Sequence, residues 1–404
     1  MTTVKPPASR KDFRVAIICA LPREADAVLL LFDQFWDEVR DPYGRADGDP
    51  NIYITGRMGE HSIVLVVLPG MGTISAAAAT TSLRLSFTEL SIAFLVGICG
   101  GVPRIDGVDA LLGDVVVSNT IIEYDCGQLF PGGHFAVKNP VANRLNRAKR
   151  EIRTLLAACK DELRKERLQE EASRHLEALQ EAAKKKRRRR ANYRYPGAEE
   201  DKLFPPTYTH KHRGGCSVCS DDSEVFCEAA TLASCLEAGC DAKNLIARDH
   251  SPRLTQGSGE TFTPEIFIGR IGSGNTVMKS GEHRDRIAAA QNLIAFEMEG
   301  ACVGTWNQVQ CIVVKGICDY ADSHKNKGWQ DFAAATAASV MKAILGRYSL
   351  PDEERTSTLT NEKAVSSVSQ VAQRRSNGRS IANNSFGDQV WINQGDVAGN
   401  VTFT

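Results

Sequence analysis

Short apolar runs alternate with segments of helical periodicity along most of the chain. Each run is apolar throughout and is bounded by small or polar residues, which is typical of a buried strand. The runs lie at residues 13–19, 63–68, 92–96, 115–117, 266–268 and 311–314. Helices are predicted to begin near Pro22 and to cover residues 74–85 and 332–345. Buried strands that alternate with helices predict an α/β sheet covered on both faces.

Glycine-rich segments follow two of these runs. Gly70 and Gly72 follow residues 63–68, and residues 97–101 (GICGG) follow residues 92–96. We interpret both segments as turns at the carboxyl ends of strands, where open α/β sheets bind their ligands. The sequence therefore predicts a ligand site at this edge of the sheet.

Residues 144–200 differ in composition from their surroundings. Leucines recur there at roughly helical spacing among dense charges, and residues 184–190 are consecutive lysines and arginines. We predict a long surface helix or a helical hairpin, inserted into a globular domain that covers residues 12–350.

Two further segments follow that domain. Residues 351–382 are rich in Ser, Thr and Gln and are predicted to be a flexible linker. Residues 383–404 form an Asn/Gly-rich segment with β-propensity, low charge and no Pro. Such a segment suits amyloid-type strand stacking in signalling, and a disordered tail is the alternative.

The charge balance conceals a strongly basic segment. The 404 residues are 42% hydrophobic and 24% charged, an ordinary globular mix, with 49 basic and 49 acidic groups. Residues 144–190, however, carry 17 basic and 8 acidic groups. Neutrality thus excludes a uniformly basic protein but not a basic arm, which could meet an anionic ligand, an acidic partner or the nuclear-import machinery.

The amino-terminal residues contain no apolar stretch of the kind found in secretory signals. The apolar runs are all far shorter than a membrane span, for which about 18 residues are needed. Twelve cysteines in this context indicate free thiols in a reducing compartment. We expect a cytoplasmic protein without a membrane partner, or a nuclear one if residues 184–190 act as an import signal.

Four acidic residues, in three segments of the chain, could carry chemistry. Glu297 and Glu299 lie on either side of Met298, either as the acidic start of a helix or as a clamp for ribose hydroxyls. Asp319 follows the last predicted strand, either as a catalytic group or as a helix N-cap. Glu24 follows the first strand and could be an ordinary residue of a first helical turn.

Together these segments resemble the nucleoside phosphorylase and methylthioadenosine/adenosylhomocysteine nucleosidase superfamily. The resemblance implies a three-layer α/β/α sandwich with a twisted mixed central sheet. Residues 318–338 also resemble a fungal branch that is often fused to immune-type receptors. The motifs that carry the resemblance are residues 17–27 (IICALPREADA), 70–80 (GMGTISAAAAT), 97–101 (GICGG), 113–118 (GDVVVS), 271–275 (IGSGN), 296–301 (FEMEGA) and 315–322 (KGICDYAD).

The resemblance also implies a role for each acidic position. Asp319 would act as the acid toward N7 of a purine, and Glu24 would activate water. Glu299 would bind the ribose hydroxyls, with Met298 and Glu297 beside it. Such a site cleaves the bond between base and ribose through an oxocarbenium-like transition state.

The remaining motif residues are assigned in the same way. Cys99, Gly100 and Gly101 would let base and sugar approach the backbone closely. Gly70, Gly72 and Lys315 would lie in the region of phosphate or the nucleophile.

Three departures from the family pattern favour water over phosphate as the nucleophile. The first-strand turn lacks the Gly-Asp-Pro and Arg pattern that binds phosphate in many phosphorylases. Ile98 stands where phosphorylases commonly carry a Ser, and it offers no hydroxyl group. Lys315 stands where the nucleosidase branch has an Arg, so a bidentate fork is lost.

The predicted activity is hydrolysis of purine, mainly adenine, nucleotides such as ATP, or of purine nucleosides. A phosphate-dependent phosphorylase and a non-catalytic nucleotide sensor are the alternatives. A triphosphate would need basic residues, and the candidates are Lys184 to Arg190, Lys211, Arg213, Arg270, Lys279, Arg284 and Arg286.

Cofactors and partners are predicted as follows. Cys216 and Cys219 form a single CxxC with His210, His212 and Cys227 nearby, either a weak zinc candidate or ordinary thiols of a lid loop. We predict no metal and no cofactor. A homo-oligomer is expected from the family, with a signalling partner for residues 383–404 and no nucleic acid.

Overall fold

The computed structural model describes residues 5–37, 40–131, 135–137, 150–186, 191–219, 225–255, 261–300, 309–325 and 327–349. The chain divides into two units, Met1–Ser349 and Leu350–Thr404, and the second lies outside the described residues. The predictions for residues 351–382 and 383–404, and for Arg187 to Arg190, therefore fall outside the described part of the chain.

A mixed β-sheet forms the centre of the first unit. Its described strands are β1 (Val15–Cys19), β2 (Gln34–Phe35), β3 (Tyr53–Met58), β4 (His61–Val67), β5 (Ile92–Gly101), β6 (Val115–Glu123), β7 (Ile266–Ser273), β8 (Leu293–Glu297) and β9 (Gln310–Asp319). The order across the sheet is β8-β7-β6-β9-β5-β1-β4-β3-β2. Strands β4, β1, β5 and β9 run parallel, whereas β6 pairs with β9 in antiparallel orientation.

Eight described α-helices accompany this sheet. They are α1 (Pro22–Leu29), α2 (Thr73–Ser86), α3 (Arg150–Ala158), α4 (Glu162–Lys184), α5 (Glu228–Leu232), α6 (Cys235–Ala238), α7 (Gly281–Gln291) and α8 (Gln330–Leu345). Helix α8 packs on β5 and β9 and is buried along most of its length, as its run of alanines allows. Gly316 of β9 makes this close approach possible, because a Cβ there would collide with the backbone of Ala333.

The charged segment that was predicted as an insertion packs against the rest of the first unit. Helix α4 packs against α8 and buries Leu168, Leu176 and Leu179. At the end of α8, the Arg347 guanidinium donates to Glu171 at 2.6 Å. The buried leucines of α4 therefore cover the outer face of α8. None of the described helices is both long enough and apolar enough to cross a bilayer.

The glycine-rich turn predicted at residues 97–101 is wrong, because these residues continue β5. Gly100 and Gly101 pair with β8, and Gly97 to Gly100 pair with β9, so the backbone hydrogen bonds of the sheet hold the segment extended. The last predicted strand likewise runs on to Asp319. Strands β2, β3 and β8 have no counterpart among the predicted runs.

Candidate active site

Several of the residues assigned by resemblance lie around one pocket of about 380 Å³ at the ends of β1, β5, β8 and β9. Four carboxylates from distant parts of the sequence line it: Glu24, Glu297, Glu299 and Asp319. Met298, Cys99 and Gly100 also line it. The predicted ligand site at this edge of the sheet therefore has a physical counterpart, while the individual roles of these residues stay predictions.

Glu24 is buried and held by backbone donors. Its carboxylate accepts hydrogen bonds from the N–H groups of Ala20 and Leu21, each at 2.9 Å, and of Ile98, at 2.9 Å. Burial raises the pKa of this carboxyl, although the charge of Lys315 and the Ile98 hydrogen bond act to lower it. A Cβ at Gly97 would collide with the Glu24 carboxylate, so a glycine at that position is what admits the side chain.

The two glutamates that flank Met298 have different environments. The Glu297 carboxylate accepts from the backbone N–H groups of Glu299, at 3.0 Å, and Gly300, at 2.9 and 3.0 Å. It therefore holds the turn that follows β8. Glu299 accepts from the Gly72 N–H at 3.3 Å, which commits that donor to a carboxylate. Gly70 is not among the residues that line the pocket.

Lys315 lies behind these glutamates and not in the wall of the pocket. It is only 1% exposed, and its ammonium lies 3.1 Å from Glu299 and 3.9 Å from Glu297. Burial lowers the pKa of this lysine, but the charges of Glu299, Glu24 and Glu297 raise it by more, so the net shift is upward. Lys315 therefore stays charged and compensates a buried group of carboxylates.

Asp319 is the last residue of β9. One carboxylate oxygen accepts from the Ala321 N–H at 2.8 Å, and the backbone of Ala321 adopts a positive φ of 51°. Gly100 gives this turn its room, because a Cβ there would lie 2.8 Å from the Ala321 Cβ and 2.9 Å from Asp319. Gly101 pairs with Ala295 and does not line the pocket.

A lysine that the motifs did not single out reaches Asp319. The Lys325 ammonium lies 3.0 and 3.1 Å from the two Asp319 oxygens. Burial has the largest single effect on the pKa of Lys325 and lowers it, but the charges of Asp319 and Cys318 and the hydrogen bond to Asp319 together raise it by more, so the net shift is upward. In the sequence, the feature that could have identified Lys325 as a partner of Asp319 was its position six residues further along the chain.

The rest of the wall is largely apolar and was also not predicted. Met278 and Phe296 are buried there, and Val277 and Met71 are half-exposed at the rim. Helix α5, from the segment that follows the insertion, adds Leu232. Apolar side chains beside a group of carboxylates suit an aromatic base joined to a hydroxylated sugar.

The basic residues predicted for a triphosphate do not converge. Lys279 lines the pocket together with two lysines that were not predicted, Lys325 and Lys327. The guanidinium groups of three others donate to backbone carbonyls: Arg213, Arg270 and Arg284. Among the described cationic side chains, Lys279 and Lys327 are therefore the candidates for binding an anion at this pocket, since Lys325 is paired with Asp319.

Residues 14–182 match the family model described as the phosphorylase superfamily. Over these residues the match confirms the resemblance drawn from the motifs, and the mixed central sheet agrees with the fold that this resemblance implied. The match to the family model ends before residues 296–301 and 315–322, which contain Glu299 and Asp319.

The chain is also similar to a nucleotide-binding leucine-rich repeat (NLR)-like protein of Hyaloscypha variabilis. It is 31% identical over 351 residues, which cover 84% of this chain and 30% of the relative. The chain thus spans less than a third of that protein's length. This likeness agrees with the predicted resemblance to a receptor-associated fungal branch.

Two solved structures from Helicobacter pylori are also similar. The 5′-methylthioadenosine/S-adenosyl homocysteine nucleosidase is 15% identical with a TM-score of 0.45, covering 83% of this chain and 99% of its own. Futalosine hydrolase is 16% identical with a TM-score of 0.44, covering 83% and 98%.

Proposed function

We propose that the domain hydrolyses the N-glycosidic bond of a purine nucleoside or nucleotide. The observation that carries the proposal is that Glu24, Glu299 and Asp319, from three distant segments, line one pocket. In the proposed reaction Glu24 takes a proton from the water that attacks the anomeric carbon. The bond between ribose and base breaks, its electron pair goes to the base, and Asp319 supplies a proton at N7.

The remaining groups suit the same transition state. In the proposal Glu299 accepts hydrogen bonds from the ribose hydroxyls, while Lys315 donates to one of its oxygens and the Gly72 N–H donates to the other. Positive charge develops on the sugar as the bond breaks, and the neighbouring carboxylates stabilise it.

Local electrostatics favour water over phosphate as the nucleophile. A phosphate dianion beside Glu24 and Glu299 would meet two carboxylates, whereas water can donate to them. The Ile98 N–H, a backbone donor of the kind that could hold a phosphate oxygen, is already bound to Glu24. Lys315 is likewise paired with Glu299.

Nucleotides are favoured over nucleosides by two exposed lysines. Lys279 and Lys327 line the mouth of the pocket. Cations at that position would meet a phosphate group attached to the ribose 5′ carbon.

The test is to incubate the full chain with ATP, AMP, adenosine and methylthioadenosine, each with and without inorganic phosphate, and to measure free base. We expect base release that does not require phosphate and is faster with the nucleotides. Release that requires phosphate would establish a phosphorylase instead. No release from any substrate by folded protein would contradict the proposal.

We expect the reaction to slow as the pH falls through the pKa of Glu24. Burial raises that pKa above the ordinary value of 4.5, and a general base acts only when it is ionised. The acidic limb of kcat/KM should therefore lie above the range of an ordinary glutamate. A profile that stays flat down to that range, in protein that remains folded, would contradict the role of Glu24.

A nucleotide sensor without turnover is the second candidate. The observation that favours it is the Lys325–Asp319 ion pair, because the ammonium already contacts both carboxylate oxygens that the proposed reaction would turn toward the base. The similar Hyaloscypha variabilis protein, of which this chain covers 30%, is named a nucleotide-binding leucine-rich repeat (NLR)-like protein. ATP binding measured by calorimetry, with no base released, would support this candidate over the enzyme.

A further inference from the structure

The segment between α4 and β7 has little hydrophobic core of its own around its cysteines. In the described residues 209–219 and 225–240, one small buried cluster consists of Cys219, Cys227 and Ala230, with Cys216 packed against it. The larger apolar side chains of this segment lie at the surface: Val218, Val225, Phe226, Leu232 and Leu236. Small folds of this kind are usually held by a disulfide or a metal ion.

Four potential metal ligands converge at that cluster. One ligand atom each from His212, Cys216, Cys219 and Cys227 lies within 4.8 Å of all the others. The Cys219 sulfur is 3.7 Å from the Cys216 sulfur and 3.5 Å from His212 Nδ1, and the Cys227 sulfur is 3.9 Å from the same nitrogen. A disulfide would require sulfurs about 2.0 Å apart, so these thiols are not bonded to one another.

The distances match the edges of a zinc tetrahedron. With Zn–S of about 2.3 Å and Zn–N of about 2.0 Å, two sulfur ligands lie about 3.8 Å apart, and a sulfur and a nitrogen about 3.5 Å apart. Thiolate and imidazole ligands select zinc over the hard cations Mg²⁺ and Ca²⁺. We propose that His212, Cys216, Cys219 and Cys227 bind a structural zinc ion.

A second set lies at the other end of α5 and rests on a separate observation. His210, Cys240 and His324 also place ligand atoms within 4.8 Å of one another. His210 Nδ1 lies 3.4 Å from the Cys240 sulfur and 3.8 Å from that of Cys235. His324 is 7% exposed, and its Nε2 has no hydrogen-bond partner within the described part of the chain. We infer that His210, Cys240 and His324 bind a second zinc ion, with the Cys235 sulfur close to one of these ligands but outside the set of three.

The two sets together position one wall of the candidate active site. Helix α5 lies between Cys227 and Cys235 and contributes Thr231 and Leu232 to the pocket. His324 immediately precedes Lys325, which pairs with Asp319. Zinc would therefore fix both α5 and the turn that carries Lys325. This consequence rests on the proposed function, whereas zinc binding itself does not.

The experiment measures metal content in the full chain, purified without a metal-affinity step. Elemental analysis should find two zinc ions per chain. The double variant C216S/C219S should lose one of them, and C235S/C240S should lose the other. Cys126→Ser, which changes an exposed cysteine outside both sets, should retain both. Zinc-free but folded wild-type protein would overturn the proposal, and so would iron in place of zinc.

A second measurement covers variants that fail to fold. Cobalt exchanged into the wild-type protein should show the intense visible bands of tetrahedral thiolate coordination, and octahedral bands would overturn the assignment. If the chain proves to be an enzyme, loss of the first zinc should raise KM roughly tenfold, as expected for about 1.4 kcal/mol of lost binding. A metal-replete chain without turnover would refute the proposed function and leave the zinc sites standing.

Discussion

Asp319→Asn should lower kcat for base release by about 10²- to 10⁴-fold, the usual contribution of a general acid. The asparagine keeps the size of the side chain and can still accept from the Ala321 N–H, but it cannot deliver a proton. The turn beyond β9 should therefore survive while the chemistry is lost. The measurement is the initial rate of base release under saturating substrate, together with the thermal unfolding midpoint.

Asp33→Asn is the matched control for this change. Asp33 is likewise paired with a lysine, Lys342, at 2.9 Å, but it is not among the residues that line the pocket. The control should retain wild-type kcat. A wild-type kcat in both variants would show that Asp319 is not the acid. The same loss of kcat in both variants would show that the effect is not specific to the pocket.

Lys315→Met should destabilise the folded chain by about 3–5 kcal/mol, as expected when one partner of a buried ion pair is removed. Lys315 is the buried cation that faces Glu299, Glu297 and Glu24. Methionine fills a similar volume but leaves these carboxylates uncompensated. Urea unfolding at neutral pH measures the loss.

The loss should shrink at mildly acidic pH. Lys315 lowers the pKa of Glu24 and of Glu297, so both values rise further above their unfolded values when it is removed. A carboxyl with a raised folded pKa stabilises the fold most below its unfolded pKa, and this stabilisation is lost as the pH rises through the folded pKa.

Lys342→Met is the control for this comparison. Its ammonium pairs with the partly exposed Asp33, and such a pair is worth at most about 1 kcal/mol. Similar losses for the two variants, or a Lys315→Met deficit that does not change with pH, would contradict the interpretation of Lys315 as the counter-ion of buried carboxylates.

Much of the fold could be predicted because its elements are locally consistent. The apolar run at residues 13–19 contains β1, Pro22 begins α1, and the alanine-rich segment ending at Leu345 forms α8. These features depend on apolar periodicity and on residues that start or stop helices, and both are local properties.

The errors occurred where pairing with distant strands overrode a local preference. Gly97, Gly100 and Gly101 suggested a turn, but backbone hydrogen bonds to β8 and β9 keep them extended. Their missing side chains serve another purpose, since Gly97 makes room for Glu24 and Gly100 for Asp319. A glycine in the sequence can indicate that there is no space for a Cβ atom at that position, but only the fold shows which atoms a Cβ would collide with.

The sequence by itself determined the alternation of strands and helices, the resemblance to the phosphorylase superfamily, and the residue types available for chemistry. Tertiary structure decided which of those residues meet. Lys315 is the counter-ion of Glu299, and Lys325 pairs with Asp319. One ligand atom of His212 lies within 4.8 Å of the sulfur atoms of three cysteines. The reason is physical, because ion pairing and metal coordination depend on distances between side chains that are remote along the chain, and local patterns carry no record of those distances.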